Sequence, residues 1–197
     1  MAAGAAFSQY KAEPAGPPPS DLPASISATL QKDGAKVVGG NTAFCEIWFR
    51  SAAPSGPKSS EEGVTLPTIP QGALVGALRF PGRGSDRRGQ NIKPGVYTLR
   101  YSLQPVNGDH QGVAPQRDFL VMIPAADDTD ATATPAFDDL MKMSRKASGT
   151  PHPAVLSMSA SSNGKFPELK REGDSDWVLH VKVGDLPVAV ILVGKAE

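Results

Sequence analysis

Glycine and proline interrupt this chain about once in every five residues, with 20 glycines and 19 prolines among 197 residues. Both residue types are more frequent here than in ordinary proteins. Proline lacks a backbone N–H group and glycine has wide conformational freedom, so both tend to end regular elements and to favour turns. A chain interrupted so often favours many short strands over long helices.

Between these interruptions apolar and polar residues alternate, which is the pattern of half-buried strands. In residues 96–103, for example, Tyr97, Leu99 and Tyr101 share one face. The pattern predicts about eight strands, at residues 26–30, 43–50, 73–80, 96–103, 117–123, 154–158, 177–183 and 186–193.

One short helix is also predicted, with Thr134 as its cap, Pro135 in its first turn and Gly149 just after its end. Strands dominate, and they do not alternate regularly with helices. We therefore expect a mainly β fold, an antiparallel β-sandwich of about eight strands with one helix. Closure of the strands into a barrel is the alternative.

The N-terminal residues differ in composition from the rest of the chain. Residues 10–23 contain five prolines among Ala, Gly and Ser, which favours an extended or disordered segment. Residues 1–9 are small and mostly apolar, like the end of a signal peptide. We expect residues 1–23 to be a flexible leader, residues 24–197 to form one domain, and the protein to be secreted or periplasmic.

Charge and cysteine content exclude several classes of function. Twenty basic and twenty acidic residues give a formal net charge of zero, whereas nucleic-acid-binding proteins usually carry a basic excess. The single cysteine, Cys45, cannot form a disulfide within the chain. No apolar run approaches the length of a membrane span. No cofactor is predicted, since the glycine-rich residues 82–84 lack the spacing of a phosphate-binding loop.

The most distinctive polar segment, residues 107–118, lies between two predicted strands, where long loops often carry function. Asp109 and His110 can ligate a metal or transfer a proton. Arg117 and Asp118 complete the candidate ligand-binding set, with Arg117 suited to a carboxylate or sugar oxygens. The alternative is that the glycines shape a turn and that Arg117 and Asp118 form an ion pair.

Two classes of function follow. The first is a binding or structural module of the bacterial envelope, with a polysaccharide or an envelope protein as partner. Trp48, Tyr97 and Tyr101 are the aromatic side chains that can stack on sugars if they are exposed. The second is a hydrolase or metal-dependent enzyme with its site around residues 107–118. No recognised catalytic motif favours the second class.

Part of the chain resembles a family of uncharacterised secreted bacterial proteins. The run Pro94-Gly95-Val96-Tyr97-Thr98-Leu99 is similar to the Pro/Ala-Gly-x-Tyr-Thr-Leu strand of that family, and Gly108-Asp109-His110-Gln111-Gly112 looks like its following loop. The similarity covers residues 72–125. It implies an exported bacterial protein and supplies no catalytic residues.

Overall fold

The computed structural model describes residues 9–106 and 116–196. No helix within these residues is long and apolar enough to cross a membrane. Along the chain the elements are β1 (Tyr10–Gly16), α1 (Ala24–Ser27), β2 (Gly34–Gly39), β3 (Thr42–Phe49), β4 (Leu74–Phe80), β5 (Gly84–Ser85), β6 (Asn91–Ile92), β7 (Gly95–Leu103), β8 (Asp118–Pro124), a 3₁₀ helix (Ala125–Asp127), α2 (Phe137–Ser148), β9 (Val155–Ala160), β10 (Glu168–Glu172), β11 (Asp176–Val183) and β12 (Leu186–Val193).

Ten of the strands form one antiparallel sheet in the order β1-β2-β3-β4-β7-β8-β9-β12-β11-β10, and β5 pairs with β6 separately. The sheet curls until its first and last strands, β1 and β10, come into contact. Close to this seam the Tyr10 ring of β1 meets the Trp177 ring of β11, with centroids 5.6 Å apart. The mainly β, antiparallel prediction is confirmed, but the sandwich of about eight strands is wrong, because the sheet is a nearly closed barrel.

Strands β1, β2 and β10 lie at the two ends of the sheet, and the sequence prediction omitted all three. β1 carries Pro14, which is tolerated because the strand has a neighbour on one side alone. β10 has the sequence Glu-Leu-Lys-Arg-Glu, the charged composition typical of an edge strand. These strands lack the alternating apolar pattern that identified the central ones.

Within the leader expected at residues 1–23, residues 10–16 form a strand of the sheet. Tyr10–Gly16 pairs with β2, and Leu22 is buried. The strand expected at residues 26–30 does not form: Ile26 lies in the single helical turn α1, and Leu30, beyond the end of that turn, makes one isolated antiparallel bridge to Arg50. Both side chains pack with Trp48 on the outside of the barrel.

Helix α2 covers the outer face of β8. Leu140 and Met141 pack against Val121 and Ile123. The helix ends as predicted, with Gly149 in the left-handed region at a φ of 65°. It begins at Phe137, two residues later than expected, and its N-cap position makes no side-chain hydrogen bond.

The segment before α2 is fixed by Arg100, which points outward from β7 and is completely buried. Its Nε and Nη2 atoms each lie 2.7 Å from one oxygen of Asp128. The remaining N–H groups donate to the backbone carbonyls of Gly72, Ala133 and Asp130 at 2.5 to 2.9 Å. All five guanidinium donors are therefore satisfied, and residues 128–133 are held in a non-helical path.

Replacing Arg100 with Met should lower the free energy of unfolding by about 3–5 kcal/mol, because Asp128 would be left as an unpaired buried charge. Urea denaturation followed by circular dichroism measures the loss. The double variant Arg100→Met with Asp128→Leu should recover part of it. A single variant as stable as the wild type would contradict the structural role of this pair.

Removing β1 should also destabilise the barrel. We expect a chain that begins at Pro17 to melt at least about 10 °C lower, a shift that corresponds to about 2.5–5 kcal/mol at this size. A chain that begins at Gln9 is the matched control for calorimetry. Equal melting temperatures for the two chains would show that residues 10–16 behave as the leader that the sequence predicted.

Candidate functional site

The four residues predicted to bind a ligand fall into two groups. Asp109 and His110 lie outside the described residues. Arg117 and Asp118 lie at the start of β8, where their side chains contact residues 61–66. The ligand-binding role of the four residues stays a prediction.

Asp118 is completely buried and accepts four hydrogen bonds. Its Oδ1 atom accepts from the Leu66 N–H at 3.0 Å and from the Tyr101 hydroxyl at 2.6 Å. Its Oδ2 atom accepts from the N–H and the hydroxyl of Thr65 at 2.8 and 2.9 Å. Burial, reinforced by the bond to the Asp118 carboxylate, raises the pKa of Tyr101 above its ordinary value. These contacts fasten residues 65 and 66 to the barrel.

Arg117 fastens the preceding part of the same loop. Its Nη2 atom lies 2.8 Å from Glu61 Oε2, its Nη1 atom donates to the Glu62 carbonyl, and its Nε atom donates to the Gln104 carbonyl. Arg117 therefore pairs with Glu61, not with Asp118 as the alternative sequence interpretation expected. The observed contacts of Arg117 and Asp118 therefore attach the loop at residues 61–66 to the barrel.

A cavity of about 590 Å³ lies at one end of the barrel, where β1–β3 face β11 and the residues that precede β10. Its lining residues are Ala12, Glu13, Pro14, Gln31, Asp33, Gly34, Ala35, Ile47, Phe49, Phe166, Pro167, Val181 and Lys182. Ala35, Ile47, Phe49 and Val181 belong to the main hydrophobic core, so the cavity continues the apolar interior of the barrel.

The small side chains of Ala12 and Ala35 leave room for the cavity at this end. At the other end an aromatic series fills the interior. Tyr10 packs edge-on against Phe44, Phe44 against Phe80, and Phe80 against Tyr97, with centroids 5.6 to 6.2 Å apart. The barrel is thus filled at the end where β1 begins and hollow at the end where β1 finishes.

Polar groups stand among the apolar walls of the cavity. The Gln31 amide nitrogen donates to the Lys182 carbonyl at 2.9 Å and to the Arg50 carbonyl at 3.3 Å. These two acceptors fix the orientation of the amide and leave its oxygen as the acceptor that can face a ligand. Glu13 pairs with Lys11 and Lys36, which together lower the pKa of its carboxyl.

His180 lies near the cavity, on the outer face of β11. Its Nδ1 atom is 2.8 Å from Ser161 Oγ, and its Nε2 atom is 2.8 Å from Glu172 Oε1. Serine, histidine and carboxylate in a hydrogen-bonded series are the parts of a nucleophilic relay. In the relay template, however, the serine meets Nε2 and the carboxylate meets Nδ1, whereas here the two nitrogens are exchanged. This exchange of the two nitrogens favours a positioning role for His180, which is buried.

Metal and thiol chemistry find little support in the described part of the chain. Residues 9–106 and 116–196 contain no group of three or more His, Cys, Asp or Glu side chains placed to hold a metal ion. Cys45 is buried, and burial raises the pKa of its thiol far above the ordinary value, so the reactive thiolate is disfavoured.

Sequence reasoning missed the cavity because its lining comes from segments up to 170 positions apart in the chain. No local motif connects Ala12 with Val181. The strand pattern did place His180 and Lys182 on one face and Val181 on the other, as the structure has them, because side chains alternate along a strand. The strand pattern did not predict the pairing of β1 with β2, which places the side of the cavity that β1 lines.

Asp118→Asn should destabilise the protein by about 2–3 kcal/mol, because the amide nitrogen would face donors that now bind a carboxylate. Chemical denaturation measures the change, and Asp174→Asn on the surface is the control. A loss of ligand binding without any loss of stability would instead favour the site role predicted from the sequence.

The comparisons with known proteins leave the chain without an assigned family. No protein-family model, no curated protein and no solved structure matches it.

Proposed function

We propose that the protein is an exported binding protein that holds a small, mainly apolar molecule in the cavity at the end of its barrel. One observation carries the proposal: a cavity of about 590 Å³ continues the hydrophobic core of the barrel and has polar groups on its wall. Sites for small molecules are usually concave and mostly apolar, and typically have volumes of 300–1,000 Å³.

The chemistry of the cavity lining indicates which kind of ligand the cavity can hold. Ala12, Pro14, Phe166 and Pro167 offer accessible apolar surface that gains free energy when a ligand displaces water from it, and the buried Ile47 and Phe49 lie behind this surface. The oriented Gln31 amide oxygen suits a hydroxyl or N–H donor on the ligand. An apolar body with one polar end therefore complements the cavity better than a uniformly polar molecule does.

The other expected partners receive less support. Trp48, Tyr97 and Tyr101 were candidates for stacking on a polysaccharide, but each is at most 5% exposed. Export and an envelope-protein partner rest on the N-terminal composition and on the sequence resemblance, and both remain predictions. A hydrolase or metal-dependent enzyme centred on residues 107–118 also remains a prediction, with no observation in its favour.

Fluorescence of N-phenyl-1-naphthylamine, a neutral apolar probe, tests the proposal. We expect saturable binding at one site in the wild type. Ala35→Phe fills the cavity from β2 and should weaken binding at least about tenfold, roughly the effect of 1.4 kcal/mol. Ala126→Phe makes the same change on the exposed 3₁₀ helix and should bind like the wild type.

Two results would overturn the proposed function. One is the absence of saturable probe binding by the folded wild type. The other is equal affinity for the Ala35→Phe and Ala126→Phe variants, which would place the probe elsewhere.

A further inference from the structure

One wall of the cavity comes from the connection between β9 and β10, residues 161–167, which we call the strap. Phe166 and Pro167, at its end, line the cavity. The strap leads directly into β10, the last strand of the sheet, which pairs with β11 on one side and has no ladder with β1 on the other. The strap therefore stands beside the incompletely closed seam of the barrel.

Side chains within the strap and β10 maintain its shape. The Asn163 side-chain nitrogen donates to the Lys165 carbonyl and to a Glu168 carboxylate oxygen, at 2.6 and 2.9 Å. The Asn163 side-chain oxygen accepts from Lys170 Nζ at 2.6 Å. A segment with so many of its own bonds can keep its shape when it moves.

The strap is attached to the barrel wall through β11. His180 bonds Ser161 at the start of the strap and Glu172 at the far end of β10, in addition to the Ser161 N–H bond to the Pro187 carbonyl of β12 and the pairing of β10 with β11. Lys182, two residues further along the same face, places its ammonium 5.6 Å from the Phe166 ring centroid. Neither His180 nor Ser161 lines the cavity.

We propose that the strap is the movable wall through which a ligand enters and leaves the cavity, and that His180 is the positioning residue that keeps it closed. This inference rests on the proposed function. Because His180 contacts the strap and not the cavity, loosening it changes how often the wall opens, with little change in the contacts of a bound ligand. Entry and exit then accelerate together and the affinity is preserved.

Stopped-flow binding of N-phenyl-1-naphthylamine to the intact protein tests this inference. Ser161→Ala removes the partner of His180 Nδ1 and also the acceptor of the Asn163 N–H, whereas His180→Ala removes both imidazole bonds and leaves the Asn163 bond in place. We expect the association and dissociation rates to rise at least fivefold in each variant while Kd stays within twofold. Ser162→Ala and His152→Ala, at exposed positions, are the matched controls and should behave like the wild type.

Amide hydrogen exchange of residues 164–166 without a ligand gives a second readout, in which faster exchange is expected for Ser161→Ala. Asn163 is left out because its N–H donates to Ser161 Oγ and loses that bond in the variant. A wild type that does not bind the probe overturns the proposed function, and the strap proposal falls with it. Wild-type binding whose rates are unchanged in Ser161→Ala, with unchanged amide exchange, overturns the strap proposal alone. A Kd weakened more than tenfold at an unchanged association rate also overturns it, because that result assigns His180 a role in holding the ligand.

Discussion

The outer layer of this barrel depends on one buried guanidinium. Arg100 satisfies all five of its donors with Asp128 and three backbone carbonyls, so the chain after β8 must pass directly over β7. Thr98, two residues earlier on the same face, donates to Asp128 Oδ2 at 2.5 Å and strengthens this arrangement. The start of α2 and its position over β8 follow from that path. The central strands are consequently buried on both faces.

The ends of the sheet are built differently. β1 and β10 carry charged residues and a proline, and between them the ring of backbone hydrogen bonds is left open. Open strand edges are usually protected by charge, and this chain follows that rule. The cavity lies beside this opening, with the core strands β2 and β3 on one side and, on the other, the strap that His180 contacts from outside. The proposed function rests on this cavity, and the strap proposal adds the contacts that hold one of its walls.

The sequence predicted the part of the fold in which local pattern and tertiary environment agree. β3, β4, β7, β8, β9, β11 and β12 were all recognisable from apolar alternation, and they are neighbours in the sheet. β1 could not be recognised, because Pro14 and the charges of Lys11 and Glu13 suit an edge strand and a flexible segment equally well. With the edges missing, the remaining strands were interpreted as a sandwich.

The candidate site, like the fold, could be predicted from the sequence only in part. The polar segment at residues 107–118 indicated Arg117 and Asp118 as ligand-binding residues, but a buried carboxylate that accepts four hydrogen bonds has the same sequence pattern as one that binds a ligand. Sequence reasoning could not predict the cavity, because it is lined by β1, β2, β3 and β11, and these strands come together only when the sheet forms. Small residues such as Ala35 gave no signal, since alanine is common in every kind of strand.

Methyl NMR spectroscopy tests the central claim, that the hollow end of the barrel is where an apolar molecule binds. Titration with N-phenyl-1-naphthylamine should shift the methyl resonances of Ile47 and Val181, which line the cavity, and leave those of Val121 and Ile123 under α2 unchanged. Shifts confined to the methyl groups under α2, or no shifts at saturating probe, would contradict the account.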